Sequence, residues 1–265
     1  MIKIPKRLVL LDKFHNYEKL QGRKDYEAIY SRYLNLLIGE DFPEMTISVV
    51  QFREQDSRFE VEIRGPEEEF VANYLKGEIG ALTNFPRLQK GDILKGHMVD
   101  VGKLGFGIFV DCGISAPTSD ILLPLHTLRA QLCNYREVSV RDIINIYGFI
   151  DGFPIDIEIT EINDKANEIE AQIAPESIRF FRTLINDNLE RIFVSGATKS
   201  QLKKAIVKNG HYGDVLDRVR YFFLDHMVIL KEDTTAPGII AEIGHSLPFC
   251  NLSALRPQRI RELFL

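Results

Sequence analysis

The stretch KLGFGIFVDCG, Lys103–Gly113, decides how the middle of this chain folds. Glycines flank Phe106, and a second phenylalanine, Phe109, follows three residues later. Glycine inside a strand forfeits packing and costs roughly 0.5–1 kcal/mol against alanine. The pattern therefore predicts a backbone that bends or is closely approached. If Ile108 and Val110 face a core, alternation turns Phe109 outward. A bend at Gly105 and Gly107 would bring Phe106 to the same side. Two rings so placed form a platform on which bases can stack; the same rings would also serve as core.

Outward from this stretch the alternation continues. GDILKGHMVDVG reads as a strand before it and DILLPL as one after it. VSVRDIINIY then reads as a short helix, and PIDIEITEIN and EIEAQI as two more strands. Five short strands with a helix between the third and fourth are the order of an OB-type barrel.

The glycine-led first strand, the Phe-Gly-Ile-Phe-Val run and the strand entering a helix resemble the S-one type of RNA-binding domain. Gly96, Phe106, Gly107, Phe109 and Val110 carry the resemblance. It implies an OB fold and single-stranded RNA on the outer face. Two positions depart from that pattern. Pro124 stands where the family has a stacking histidine, with His126 two residues later. In the last hairpin, Asn163 or Asp164 and Asn167 or Glu168 replace an Asp and a phosphate-facing Arg. The whole layout, with TTAPGIIAEIG near the end, is similar to an archaeal family of uncharacterised proteins with an embedded S-one-like domain.

Breaks at LTNFPRLQKGD and at Pro175 divide the chain into 1–88, 89–174 and 175–265. These hold 13 basic and 15 acidic residues (net −2), 7 and 13 (net −6), and 13 and 10 (net +3). An acidic middle thus precedes a basic end. The first part reads β-α-β-β-α, a small α/β layer. One helical face there holds Tyr26, Ile29, Tyr30, Tyr33, Leu34 and Leu37. In the last part ESIRFFRTLINDNL is a helix and RIFVSG a strand. TKSQLKKAIVKNG is a helix capped by Ser195 or Thr198 and ended by Gly210. DRVRYFFLDHMVILK reads either as a helix running into a strand or as one longer element. GIIAEIG is expected as a strand and RPQRIRELF as a closing helix. The fold class is α+β, a central five-stranded barrel flanked by two small α/β domains.

The total charge of −5 argues against uniform coating of nucleic acid but not against a local patch. Lys199, Lys203, Lys204 and Lys208 form a stripe on their helix, with Leu202, Ala205, Ile206 and Val207 facing inward. With Arg256, Arg259 and Arg261, they make the last part a candidate phosphate-binding surface. Lys103, Phe106 and Phe109 are the barrel's candidate contacts. A solvated charged face is the plainer reading of the lysines.

No catalytic residue, cofactor or metal is predicted. Cys112, Cys133 and Cys250 make neither a disulfide framework nor a zinc site. His15, His97, His126, His211, His226 and His245 lack metal-ligand spacing, and no Walker-type or Gly-x-Ser-x-Gly loop occurs. No apolar run approaches the ~18 residues of a membrane span, and the cysteine usage suits a reducing cytoplasm. The function expected is non-enzymatic RNA binding within a ribonucleoprotein or the translation machinery. The alternative is an adaptor whose acidic barrel docks a basic protein.

Overall fold

Alternation governs the middle of the chain and helical periodicity its edges. The computed structural model describes residues 5–14, 23–39 and 41–264; His15 and residues 1–4 lie outside this set. Contacts divide the chain into two units, 1–82 and 83–265.

The first unit comprises β1 (Lys6–Lys13), α1 (Arg23–Ile38), β2 (Thr46–Arg53), β3 (Arg58–Arg64) and α2 (Glu68–Glu78). Its antiparallel sheet runs β1-β3-β2. The buried row of α1 is Tyr26, Tyr30, Leu34 and Ile38, whereas Ile29 is 46% exposed. The expected stripe is thus narrower, following i, i+4 spacing alone. Tyr30 stacks on Phe59 and donates its hydroxyl to Asp12.

The second unit opens with β4 (Thr83–Asn84), β5 (Ile93–Val99), β6 (Gly107–Ser115) and β7 (Ser119–Pro124). Helices α3 (Leu125–Leu132) and α4 (Val140–Tyr147) lead to β8 (Pro154–Asn163) and β9 (Glu168–Ile173). Strand β5 pairs with β6, β6 with β7, β7 with β9, β9 with β8, and β8 again with β5. This is the expected closed five-stranded barrel, and β4 adds a short parallel pairing to β6. Every second residue points inward: Ile108, Val110, Cys112 and Ile114 on β6, and Ile155, Ile157 and Ile159 on β8. The helix α3, where Leu128 and Leu132 are buried one turn apart, was hidden behind the apolar run that ends β7.

Gly107 answers the question its stretch poses. It lies opposite Pro124 in the β6–β7 ladder, and a Cβ there would fall 2.5 Å from the Leu123 carbonyl oxygen. Around Gly105 there is open space. Gly107→Ala is expected to lower stability by about 1–3 kcal/mol through overpacking, and Gly105→Ala to leave it unchanged. Urea denaturation of the two variants checks this; equal losses would refute the close-approach account.

After the barrel come α5 (Pro175–Asp187), β10 (Arg191–Ser195), α6 (Lys199–Lys208), β11 (Val215–Phe222) and β12 (Asp225–Leu230). The chain closes with α7 (Ala236–Ile243), β13 (Asn251–Leu255) and α8 (Pro257–Phe264). These four strands form an antiparallel sheet in the order β11-β12-β10-β13. Ile192, Val194, Val228 and Leu230 pack with α6 and α7 on one face. Phe193, Met227 and Leu255 on the other join the apolar core of the barrel.

Two sequence readings change here. The segment DRVRYFFLDHMVILK is the hairpin β11–β12, turning at Phe223 and Leu224. GIIAEIG is helix α7, not a strand: Pro237 sits in its first turn, and Ile239 and Ile243 are buried four residues apart. The strand in this region is the short β13.

Candidate nucleic-acid interface

The barrel presents its aromatic pair where β6 begins. The Leu125 N–H donates to the Phe106 carbonyl at 2.8 Å, tying this point to the start of α3. Phe106 is 55% exposed and Phe109 half-buried. Their ring centroids are 6.4 Å apart at 89°, an edge-to-face pair. The structure thus brings the two rings together, with Phe106 the more exposed of the pair. Lys103 is exposed beside them, but its ammonium donates to Asp100 at 2.6 Å. That bond holds the Lys103 pKa above its ordinary value, and Asp151 adds to the effect. Pro124 is buried in the ladder, His126 is exposed on α3, and Asn163, Asp164, Asn167 and Glu168 are exposed in the β8–β9 turn.

Another part of the barrel's outside is covered. His97 alternates outward from β5, between inward-facing Gly96 and Met98, yet it is fully buried. Phe222 lies over its imidazole with ring centroids 3.9 Å apart and tilted by 36°. Asp225 Oδ2 lies 3.3 Å from His97 Nε2, off the direction of a good hydrogen bond. The C-terminal sheet therefore occupies this patch. Nothing in the spacing of KGHMV separates this histidine from a surface one.

On α6 the Thr198 hydroxyl accepts from the Gln201 N–H, and the Thr198 N–H donates to the Gln201 side-chain oxygen. This capping box fixes the helix so that Leu202, Ala205 and Ile206 are buried and all four lysines exposed. Val207, expected inward, is 51% exposed. On β11, Arg220 stands opposite His226 of β12 in the ladder, a cation the sequence pattern does not reveal. The His226 pKa is pushed down to about 4 by burial, then by Arg220, with Lys199 adding to the effect and the Ala197 carbonyl and Asp225 opposing it. One imidazole thus feels cations from both elements. Only the hairpin assignment for β11 could have revealed this pairing.

The terminal arginines are deployed differently. Arg256 and Arg259 line a 300 Å³ cleft with Ile144, Gly148 and Pro237, and none of the α6 lysines lines it. Arg256 donates to Glu190, and Arg261 donates to the Ile185 carbonyl. Only Arg259 of the three is exposed.

Among the described residues no cluster of three or more His, Cys, Asp or Glu side chains is arranged to hold a metal ion. Burial pushes the Cys133 and Cys250 thiols up to about 11, far from nucleophilic at neutral pH. His211 is engaged by Asp214 and Glu242 at 2.8 and 3.1 Å. No described helix is long and apolar enough to cross a membrane.

Residues 88–185 match the DUF2110 central domain and residues 189–254 the DUF2110 C-terminal domain. The chain belongs to the DUF2110 family. The central domain covers the barrel with α5, and the C-terminal domain covers β10 to β13. No curated protein matches the chain. Among solved structures it is similar to an uncharacterised protein of Methanocaldococcus jannaschii. That match has 15% identity and TM-score 0.23, over 33% of this chain and 95% of that one. It is also similar to a chain of the a/eIF2alpha-aDim2p-rRNA complex of Pyrococcus horikoshii, at 9% identity and TM-score 0.26 over 46% and 64%. A third is a multidomain protein with nucleic acid binding domains from Streptococcus pneumoniae, at 11% identity and TM-score 0.21 over 69% and 59%.

Proposed function

We propose that this DUF2110 protein is a non-enzymatic, cytoplasmic RNA-binding protein of a ribonucleoprotein or of the translation machinery. Residues 89–174 are its S-one-like OB module, between modules at 1–88 and 175–265. The strand connectivity β5-β6-β7-β9-β8-β5 supports the OB reading. The observation that carries the function is the exposed Phe106 ring braced edge-on by Phe109. A base stacks on Phe106, and the phosphates follow the cations of α6 and β11. Lys103, held by Asp100, and Arg256, held by Glu190, contribute less than the exposed Lys199, Lys203, Lys204, Lys208 and Arg259.

Fluorescence anisotropy with single-stranded RNA tests this reading. Phe106→Ala should keep the melting temperature and weaken binding by about 1–3 kcal/mol. Replacing Lys199, Lys203 and Lys204 by glutamine should flatten the log–log salt dependence by roughly 0.7 per lost contact. A native affinity and salt slope in both variants would overturn the proposal. The acidic balance of residues 89–174, 7 basic against 13 acidic, favours a second reading as an adaptor for a basic protein. Pull-downs with and without nuclease separate the two.

A further inference from the structure

A cavity of 180 Å³ lies where β8, α5 and the β11–β12 hairpin meet, and the RNA reading makes no use of it. Its lining includes the buried Phe181 and Met227, the partly exposed Phe180 and Tyr221, and two carboxylates, Asp156 and Glu176. Phe180 stands at 80° to Tyr221 and 64° to Phe181, with centroids 6.3 and 5.3 Å apart. Three rings therefore border one small volume, with Phe180 at a steep angle to each of the other two. Lys95 stands opposite Asp156 in the β5–β8 ladder and acts on its carboxylate from there. The Asp156 backbone N–H donates to Ser177.

We infer that this cavity binds an ammonium group carried on an aliphatic stem. Aromatic faces attract cations through their quadrupoles, and the apolar lining suits the methylenes behind the charge. Asp156 and Glu176 neutralise a cation and repel an anion. The volume falls below the roughly 300 Å³ at which pockets begin to hold drug-sized ligands, so the occupant has the size of one side chain.

The electrostatics agree. Burial holds the Asp156 carboxyl above the usual carboxylate range, with Lys95 of β5 opposing and Glu176 of α5 adding. Burial likewise raises Tyr221. Arg191 of β10, which acts on Tyr221, is already engaged by Asp187. Glu176 is paired with Arg179 across one helical turn. A bound cation would add to the pull of Lys95, which stands opposite Asp156 in the β5–β8 ladder, and its affinity should fall as acid protonates that carboxylate.

The four methionines provide a reporter, because Met227 lines the cavity while Met98 lies in the barrel and Met45 in the first unit. With methyl-labelled methionine in the full chain, n-butylammonium should shift the Met227 resonance saturably and leave Met98 and Met45 in place. The neutral isostere 1-butanol should bind at least tenfold more weakly. Asp156→Asn should weaken butylammonium at least tenfold, and Glu176→Gln, on an exposed side chain, several-fold. A lysine-containing peptide that binds at least tenfold tighter than butylammonium would assign the site to a protein's lysine. Equal or weaker peptide binding would assign it to a free amine. An unmoved Met227, or butanol equal to butylammonium, would overturn the inference without touching the RNA reading.

Discussion

Replacing Gly148 by alanine is expected to remove about 2–5 kcal/mol of stability and lower the melting temperature by roughly 10 °C. Gly148 ends α4 at φ +67°, with its N–H donating to the Ile144 carbonyl. A side chain in this left-handed conformation costs roughly 1–2 kcal/mol. A Cβ there would also sit 2.6 Å from the Ala254 carbonyl oxygen, part of the β13 backbone and unable to swing aside. Ser253 further anchors this point by donating its hydroxyl to the Gly148 carbonyl. Gly210 provides the control: its φ is +82° but nothing lies within 4 Å of its added Cβ. Gly210→Ala should show the conformational cost alone. Calorimetric melts of the two variants decide, and equal losses would remove the packing part of the account.

The second large effect is expected at His97. His97→Leu strands the Asp225 carboxylate, which is 2% exposed, without its 3.3 Å partner. Leaving a buried polar group without its partner costs about 1–3 kcal/mol, because that group stays desolvated. Replacing both by well-packed apolar residues is often nearly neutral. The double variant His97→Leu/Asp225→Leu should therefore be more stable than His97→Leu alone. A urea double-mutant cycle measures this; additive losses would show that the two residues do not act as a pair.

What the sequence disclosed follows from where its periodicity is unambiguous. The barrel strands were legible because one face of each is core, so Ile155, Ile157 and Ile159 alternate with Asp156 and Glu158. Helix α6 was legible through its cap and its buried Leu202, Ala205 and Ile206. Helix α7 was not, since an apolar run as short as GIIAEIG fits either period and tertiary packing chooses. Alternation and the glycines offered Phe106 and Phe109 an outer face but left a core placement open, and the fold leaves Phe106 exposed. The placing of Arg220 opposite His226 could not be read, because it depends on β11 and β12 forming a hairpin. The same holds for His97, whose burial is supplied by residues more than a hundred positions away.

The Phe222 ring lying over His97 carries a practical implication. Both a planar side chain and a carboxylate from the C-terminal sheet already sit on β5, in the manner of an internal ligand. A fragment ending at residue 174 would bare the His97 imidazole and the apolar surface that Phe193, Met227 and Leu255 cover. It would be sticky, and titrations on it would register RNA or protein contacts that the intact chain denies. The barrel is not a detachable cassette: its specificity can be measured only with its own downstream sheet in place.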